Sequence, residues 1–99
     1  MKVVVKPFLF LRKVLGFTEI ELELPVGATV HDLLKVLRDQ YGLPEKIELA
    51  QGNLMLFDGE QPTGLTILVE GRNIRQLQGL ESLLNEGSAV TIFPPSAGG

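Results

Sequence analysis

The chain reads as an α+β domain in which one amphipathic helix covers a mixed β-sheet. Three observations predict this. Ile20, Leu22 and Leu24 alternate with Glu19, Glu21 and Glu23, the period-2 pattern of a strand with one wet face. Val30, Leu33, Leu34, Leu37 and Tyr41 fall at i, i+3, i+4, i+7 and i+11, a single helical stripe. Leu65–Val69 and Ser88–Phe93 are short apolar-rich runs near glycine turns, as late strands should be.

In order, Val3–Leu11 is rich in β-branched and aromatic residues and forms the first strand. Pro7 within it lacks a ladder donor, so a local break is expected there, with Arg12–Gly16 as the turn. Phe17–Leu24 is the second strand. Pro25-Val26-Gly27-Ala28 leads to Thr29, a good helix N-cap, with Asp32 in the first turn near the positive end of the helix dipole. The helix spans about Val30 to Tyr41; Gly42 suits the position past its end, and Pro44 prevents continuation. In residues 43–64 a short strand is expected at Leu54-Met55-Leu56-Phe57, with Asp58-Gly59 as turn and Gln61–Gly64 as loop, and with Met55 and Phe57 as core or flank packing and not a ligand site. Leu65–Val69 suits a central, covered strand. Glu70-Gly71 turns into a short strand, Arg72-Asn73-Ile74. Gln76–Leu84 holds a helical turn whose Leu80, Leu83 and Leu84 close the core, and Glu86-Gly87 leads into Ser88–Phe93.

Ninety-nine residues make one domain, and 44% apolar with 21% charged residues is a globular composition. A net charge of −3 argues against nucleic-acid binding and fits docking on a basic protein patch better. Cysteine is absent, which excludes disulfides, thiolate metal sites and a thiol nucleophile. Val3–Leu11, interrupted by Lys6 and Pro7, is too short to span a bilayer, so a cytoplasmic protein without membrane partners is expected. The Glu19, Glu21 and Glu23 row is read as a solvated face. His31, the only histidine, is read as an ordinary surface residue, and Gly52, Gly59 and Gly64 match no phosphate-cradling spacing. No nucleophile–base pair or metal cluster emerges, so the chain offers no active site of its own.

What remains is the end of the chain, Val90-Thr91-Ile92-Phe93-Pro94-Pro95-Ser96-Ala97-Gly98-Gly99. Pro94 and Pro95 stop the ladder after Phe93, dividing the chain into a domain of residues 1–93 and a solvated, extended tail of residues 94–99. At about 3.3–3.6 Å per residue the tail reaches on the order of 20 Å. Gly98 and Gly99 present no side chains, so a narrow slot can close on the backbone up to the carboxylate. If Val90 and Ile92 face the helix, Thr91 and Phe93 face outward, and an exposed Phe93 is an interface-anchor candidate, with a lid on the end of the core as the alternative.

This terminal run resembles that of the ubiquitin-like sulfur carriers of the MoaD/ThiS type, in particular the small subunit of molybdopterin synthase. The likeness continues through Ile67–Ile74, Gly79-Leu80 and Asn85-Glu86-Gly87, and at the other end through Phe8, Leu11-Arg12, Gly16 and Leu24–Val30. It is weakest across residues 43–64, which are longer than in the smallest carriers, and Lys13 stands where many relatives have an acidic residue.

The resemblance implies a β-grasp fold of four to five strands with the last strand parallel beside the first. It implies that Phe8, Ile74 and Phe93 form a partner-binding surface, continued by Pro94, Pro95, Ser96 and Ala97. It implies no bound cofactor. ATP is used instead by an adenylyltransferase of the ubiquitin-activating type, which joins AMP to the Gly99 carboxyl before sulfur replaces it as a thiocarboxylate. The expected acceptor is a pterin precursor held by the molybdopterin synthase large subunit, with the chain as its non-catalytic carrier. Delivery to tRNA or cysteine synthesis, attachment to protein lysines, and an inert β-grasp interaction module are the alternatives.

Overall fold

The computed structural model describes residues 1–95. Five strands form one mixed sheet: β1 (Lys2–Pro7), β2 (Ile20–Glu23), β5 (Thr66–Val69), β6 (Arg72–Asn73) and β7 (Ala89–Phe93), in the order β2-β1-β7-β5-β6. The remaining strands, β3 (Lys46–Leu49) and β4 (Gly52–Met55), pair only with each other. A short helix α1 (Leu11–Leu15) follows β1, and the main helix α2 (Val30–Gln40) follows β2. Among the described residues, no helix is long and apolar enough to cross a membrane.

The central strand is β7, parallel to β1 and antiparallel to β5. A strand paired on both edges and covered on one face needs its inward set fully apolar, and Val90 and Ile92 are completely buried. Against them pack Val3 and Val5 of β1, Ile67 and Val69 of β5, and Val30, Leu33, Leu34 and Leu37 of α2. The expected α+β sheet with one main helix is therefore what forms, including the parallel last strand.

Helix α2 begins with a capping box. The Thr29 side chain accepts from the Asp32 N–H, and Asp32 Oδ2 accepts from the Thr29 N–H at 2.9 Å. Gly42, just beyond Tyr41, takes φ 74, a conformation that suits glycine.

Pro7 ends the first strand instead of interrupting it. The Val4 N–H donates to Ser88 O and the Phe8 N–H to Ile92 O, so even-numbered residues of β1 face β7. The odd-numbered ones face β2, whose pairing ends at Val5↔Ile20. The missing Pro7 donor thus points where no partner strand remains. The first strand stops there and not at Leu11, because Leu9 turns the chain with φ 54. Residues expected as a plain turn then form α1, ended by Gly16 at φ 86.

Residues 43–64 hold a hairpin where only one strand at Leu54–Phe57 was expected. Lys46-Ile47-Glu48-Leu49 alternates and pairs antiparallel with Gly52–Met55. Leu56 and Phe57 leave the ladder to enter the core, whereas Met55 is 48% exposed and does not pack there. Gly64 locks the return: its N–H donates to Leu56 O, and a Cβ there would lie 1.8 Å from Met55 O. Between β6 and β7 the chain forms two 3-10 turns, Ile74–Gln76 and Gly79–Glu81. Leu84 plugs the core as expected and Leu80 packs at its edge, but Leu83 is 61% exposed.

Candidate functional site

Parallel pairing of β1 with β7 brings two phenylalanines together. Pro7 lies beside Ile92, so the next residue of each strand, Phe8 and Phe93, are neighbours at the sheet end. Val3, Val5 and Pro7 point inward, as do Val90 and Ile92, leaving Phe8 and Phe93 on the outer face. Their rings stack with centroids 4.7 Å apart and planes 23° from parallel, an arrangement worth about 0.5–1.5 kcal/mol beyond burial. Arg12, presented by α1, lies 5.0 Å from the Phe8 ring centre, and its Nε donates to Pro7 O at 3.1 Å. That backbone bond fixes the guanidinium over the ring, where a cation meets the negative π face.

Of the residues expected beside this pair, Ile74 requires a correction. It caps the short return strand but is only 6% exposed and belongs to the core cluster. The 3-10 turn that begins at Ile74 places its side chain in the core, so it does not extend that surface. Pro94 is likewise buried instead of solvated, so the chain does not leave the domain immediately after Phe93. Pro94 and the half-buried Pro95 line a groove with Leu9, Leu65, Arg75 and Phe93. Ser96, Ala97, Gly98 and Gly99 lie outside the described residues.

Two exposed apolar residues escaped the sequence reading: Leu9, 68% exposed, and Phe10, 38% exposed. The signal was present in Phe8-Leu9-Phe10-Leu11, since four consecutive apolar residues cannot all face one side of a strand. Leu11 turns into the core on α1, and the other three remain at or near the surface.

Away from this surface, charged side chains are engaged in local contacts. Glu19 sits 3.9 Å from Lys6 Nζ, with both largely in solvent. His31 Nε2 pairs with Glu60 Oε2, and that hydrogen bond, with the imidazole charge behind it, pulls the Glu60 carboxyl below its usual range. Asp32 is also held low, chiefly by the Thr29 backbone N–H. Arg38 rests 4.1 Å over the Phe57 ring and donates to Gly59 O at 3.0 Å, tying α2 to the loop after β4. Two cations, Arg12 over Phe8 and Arg75 in the groove beside Phe93, flank the stack. Such a surface can dock a partner; among the described residues it carries no group placed for proton transfer or nucleophilic attack.

Comparison with known proteins agrees with this geometry. The sequence profile of the ThiS family matches residues 5–99. Small archaeal modifier protein 3 of Haloferax volcanii is 33% identical over 100 residues, covering 100% of both chains. A Pyrococcus furiosus protein described as molybdopterin converting factor subunit 1 superposes with TM-score 0.71 at 30% identity, over 97% of this chain and 99% of that one. A chain of the Amycolatopsis orientalis BexX/CysO complex does so with TM-score 0.73 at 25% identity, over 98% and 99%. The fold is the ubiquitin-like β-grasp. By profile, by full-length identity and by fold, the chain belongs to the ThiS family, the ubiquitin-like sulfur carriers and modifiers.

Proposed function

We propose that the chain is a sulfur carrier whose Gly99 carboxyl is activated by a partner enzyme and converted to a thiocarboxylate. The observation that carries this reading is the stacked Phe8–Phe93 pair at the sheet end, directly before the Pro-Pro-Ser-Ala-Gly-Gly run. A rigid aromatic plate there positions the end of the chain without taking part in chemistry. A carboxylate is a poor electrophile, so one of its oxygens attacks the α-phosphorus of ATP in the adenylyltransferase and pyrophosphate leaves. A sulfide-level nucleophile such as hydrosulfide then attacks the carbonyl carbon, AMP leaves, and loss of the sulfur-bound proton gives the thiocarboxylate. The resulting anionic sulfur is a soft nucleophile for an acceptor held by a second protein.

Sulfur delivery to a pterin precursor on a molybdopterin synthase large subunit is the acceptor step we favour, in keeping with the likeness to the Pyrococcus furiosus protein. Attachment to protein lysines is the second reading, favoured by the full-length likeness to an archaeal modifier protein. Intact mass separates the two. After incubation with a ubiquitin-activating-type adenylyltransferase, ATP and a sulfur donor, a carrier gains the mass difference between sulfur and oxygen. A modifier appears instead as an amide-linked adduct on target lysines. A chain of unchanged mass would sink both and leave an inert interaction module.

A further inference from the structure

The groove beside the aromatic pair supports an inference that rests on the carrier reading and narrows it. Leu9 holds φ 54, a left-handed conformation that is strained for a leucine, and most of its side chain is in water. Folding alone favours glycine or asparagine at such a position. The exposed leucine borders a groove of about 400 Å³ formed with Gly64, Arg75, Phe93, Pro94 and Pro95. Arg75 is exposed and enters no ion pair among the described residues; only its backbone N–H is engaged, by Asn73 Oδ1 at 2.9 Å. No carboxylate lines the groove among the described residues. The sequence just after Leu9 has the same sign: Arg12 and Lys13 follow it on α1 with no acidic residue before Glu19, although the whole chain carries −3.

We infer that this groove seats a segment of the activating enzyme in which an apolar side chain packs on Leu9 and a flanking carboxylate pairs with Arg75. The occupant follows from complementarity: a groove lined by Leu9, Phe93, Pro94 and Pro95, with Thr63 and Thr66 as its uncharged polar members, wants an apolar insert, and a guanidinium unpaired among the described residues selects an anion beside it. The overall negative charge points to a basic partner, but the groove itself demands the opposite. Leu9 and Arg75 are then specificity-determining residues, with the strain at Leu9 retained for the contact it presents.

The test measures ATP–pyrophosphate exchange by the ubiquitin-activating-type adenylyltransferase of the same genome, with the concentration of the full chain varied. Leu9→Gly suits the backbone at that position, so its thermal midpoint equals or exceeds that of the unaltered chain and loss of fold does not confuse the result. Leu9→Gly and Arg75→Glu are each expected to raise the KM for the carrier about tenfold with kcat preserved. Arg75→Lys stays near the unaltered chain, and the Arg75→Glu defect shrinks as salt is raised. An unchanged KM in both Leu9→Gly and Arg75→Glu overturns the inference and leaves the carrier reading intact. A KM lowered by Arg75→Glu overturns it by placing the chain's own terminal carboxylate on that arginine. Failure of the unaltered chain to support any exchange removes the carrier reading and this inference together.

Discussion

Phe93 shows how one position serves two ends. Its backbone closes the β5–β7 ladder opposite Thr66, while its ring leaves the core face to lie on Phe8. Because the ring is half-exposed, replacing it removes surface contact without opening a core cavity. Phe93→Ala is expected to weaken partner affinity by about 1–3 kcal/mol, read by titration calorimetry, with little change in thermal midpoint. Unchanged affinity with a lowered midpoint would make the ring a lid on the core. Asp32 provides a residue-level test of pH. Its carboxyl titrates lower in the folded chain, so the capping contribution is present at neutral pH, above the unfolded value of about 3.9. It is lost as pH falls through the folded value. Asp32→Asn should therefore destabilise at pH 7 and lose that penalty in strong acid, as measured by denaturant unfolding at both pH values.

At the scale of elements, the capping box and the hairpin attachment are two separable supports. Thr29→Ala should cost about 1 kcal/mol by leaving the Asp32 N–H without its partner. The hairpin depends on Gly64 for a different reason, close approach of backbone to backbone. A methyl group directed at Met55 O forces the β4 strand and the loop apart. Gly64→Ala is expected to destabilise by about 1–3 kcal/mol, with hydrogen exchange rising first in residues 46–57. Protection unchanged there would show that the two segments move apart freely. Both elements were partly legible beforehand. The helix followed from five apolar spacings and a capping pair only three residues apart, interactions that are local in sequence. The hairpin was half visible in the alternation of Lys46-Ile47-Glu48-Leu49, but both of its strands are largely exposed. A strand with little buried face leaves a weak hydrophobic pattern.

Across the whole molecule, the folded body is organised so that two strands distant in sequence end side by side. Among the described residues the buried cluster closes with Leu84, Val90 and Ile92, all upstream of the terminal run. Removing Gly99 is therefore expected to leave the unfolding midpoint unchanged while abolishing thiocarboxylate formation in the mass assay. A midpoint that drops with that deletion would tie the terminus to the fold. Sequence alone determined the α+β class, the main helix with its cap, the Glu70-Gly71 turn and the inward alternation of β7, because each depends on residues a few positions apart. Tertiary structure decided which outward residues share a surface. Parallel pairing of β1 with β7 set Phe93 on Phe8, the turn at Ile74 took that side chain into the core, and the positive φ of Leu9 put an apolar group into water. Those outcomes depend on strand register and backbone conformation across more than eighty residues, which no local spacing encodes.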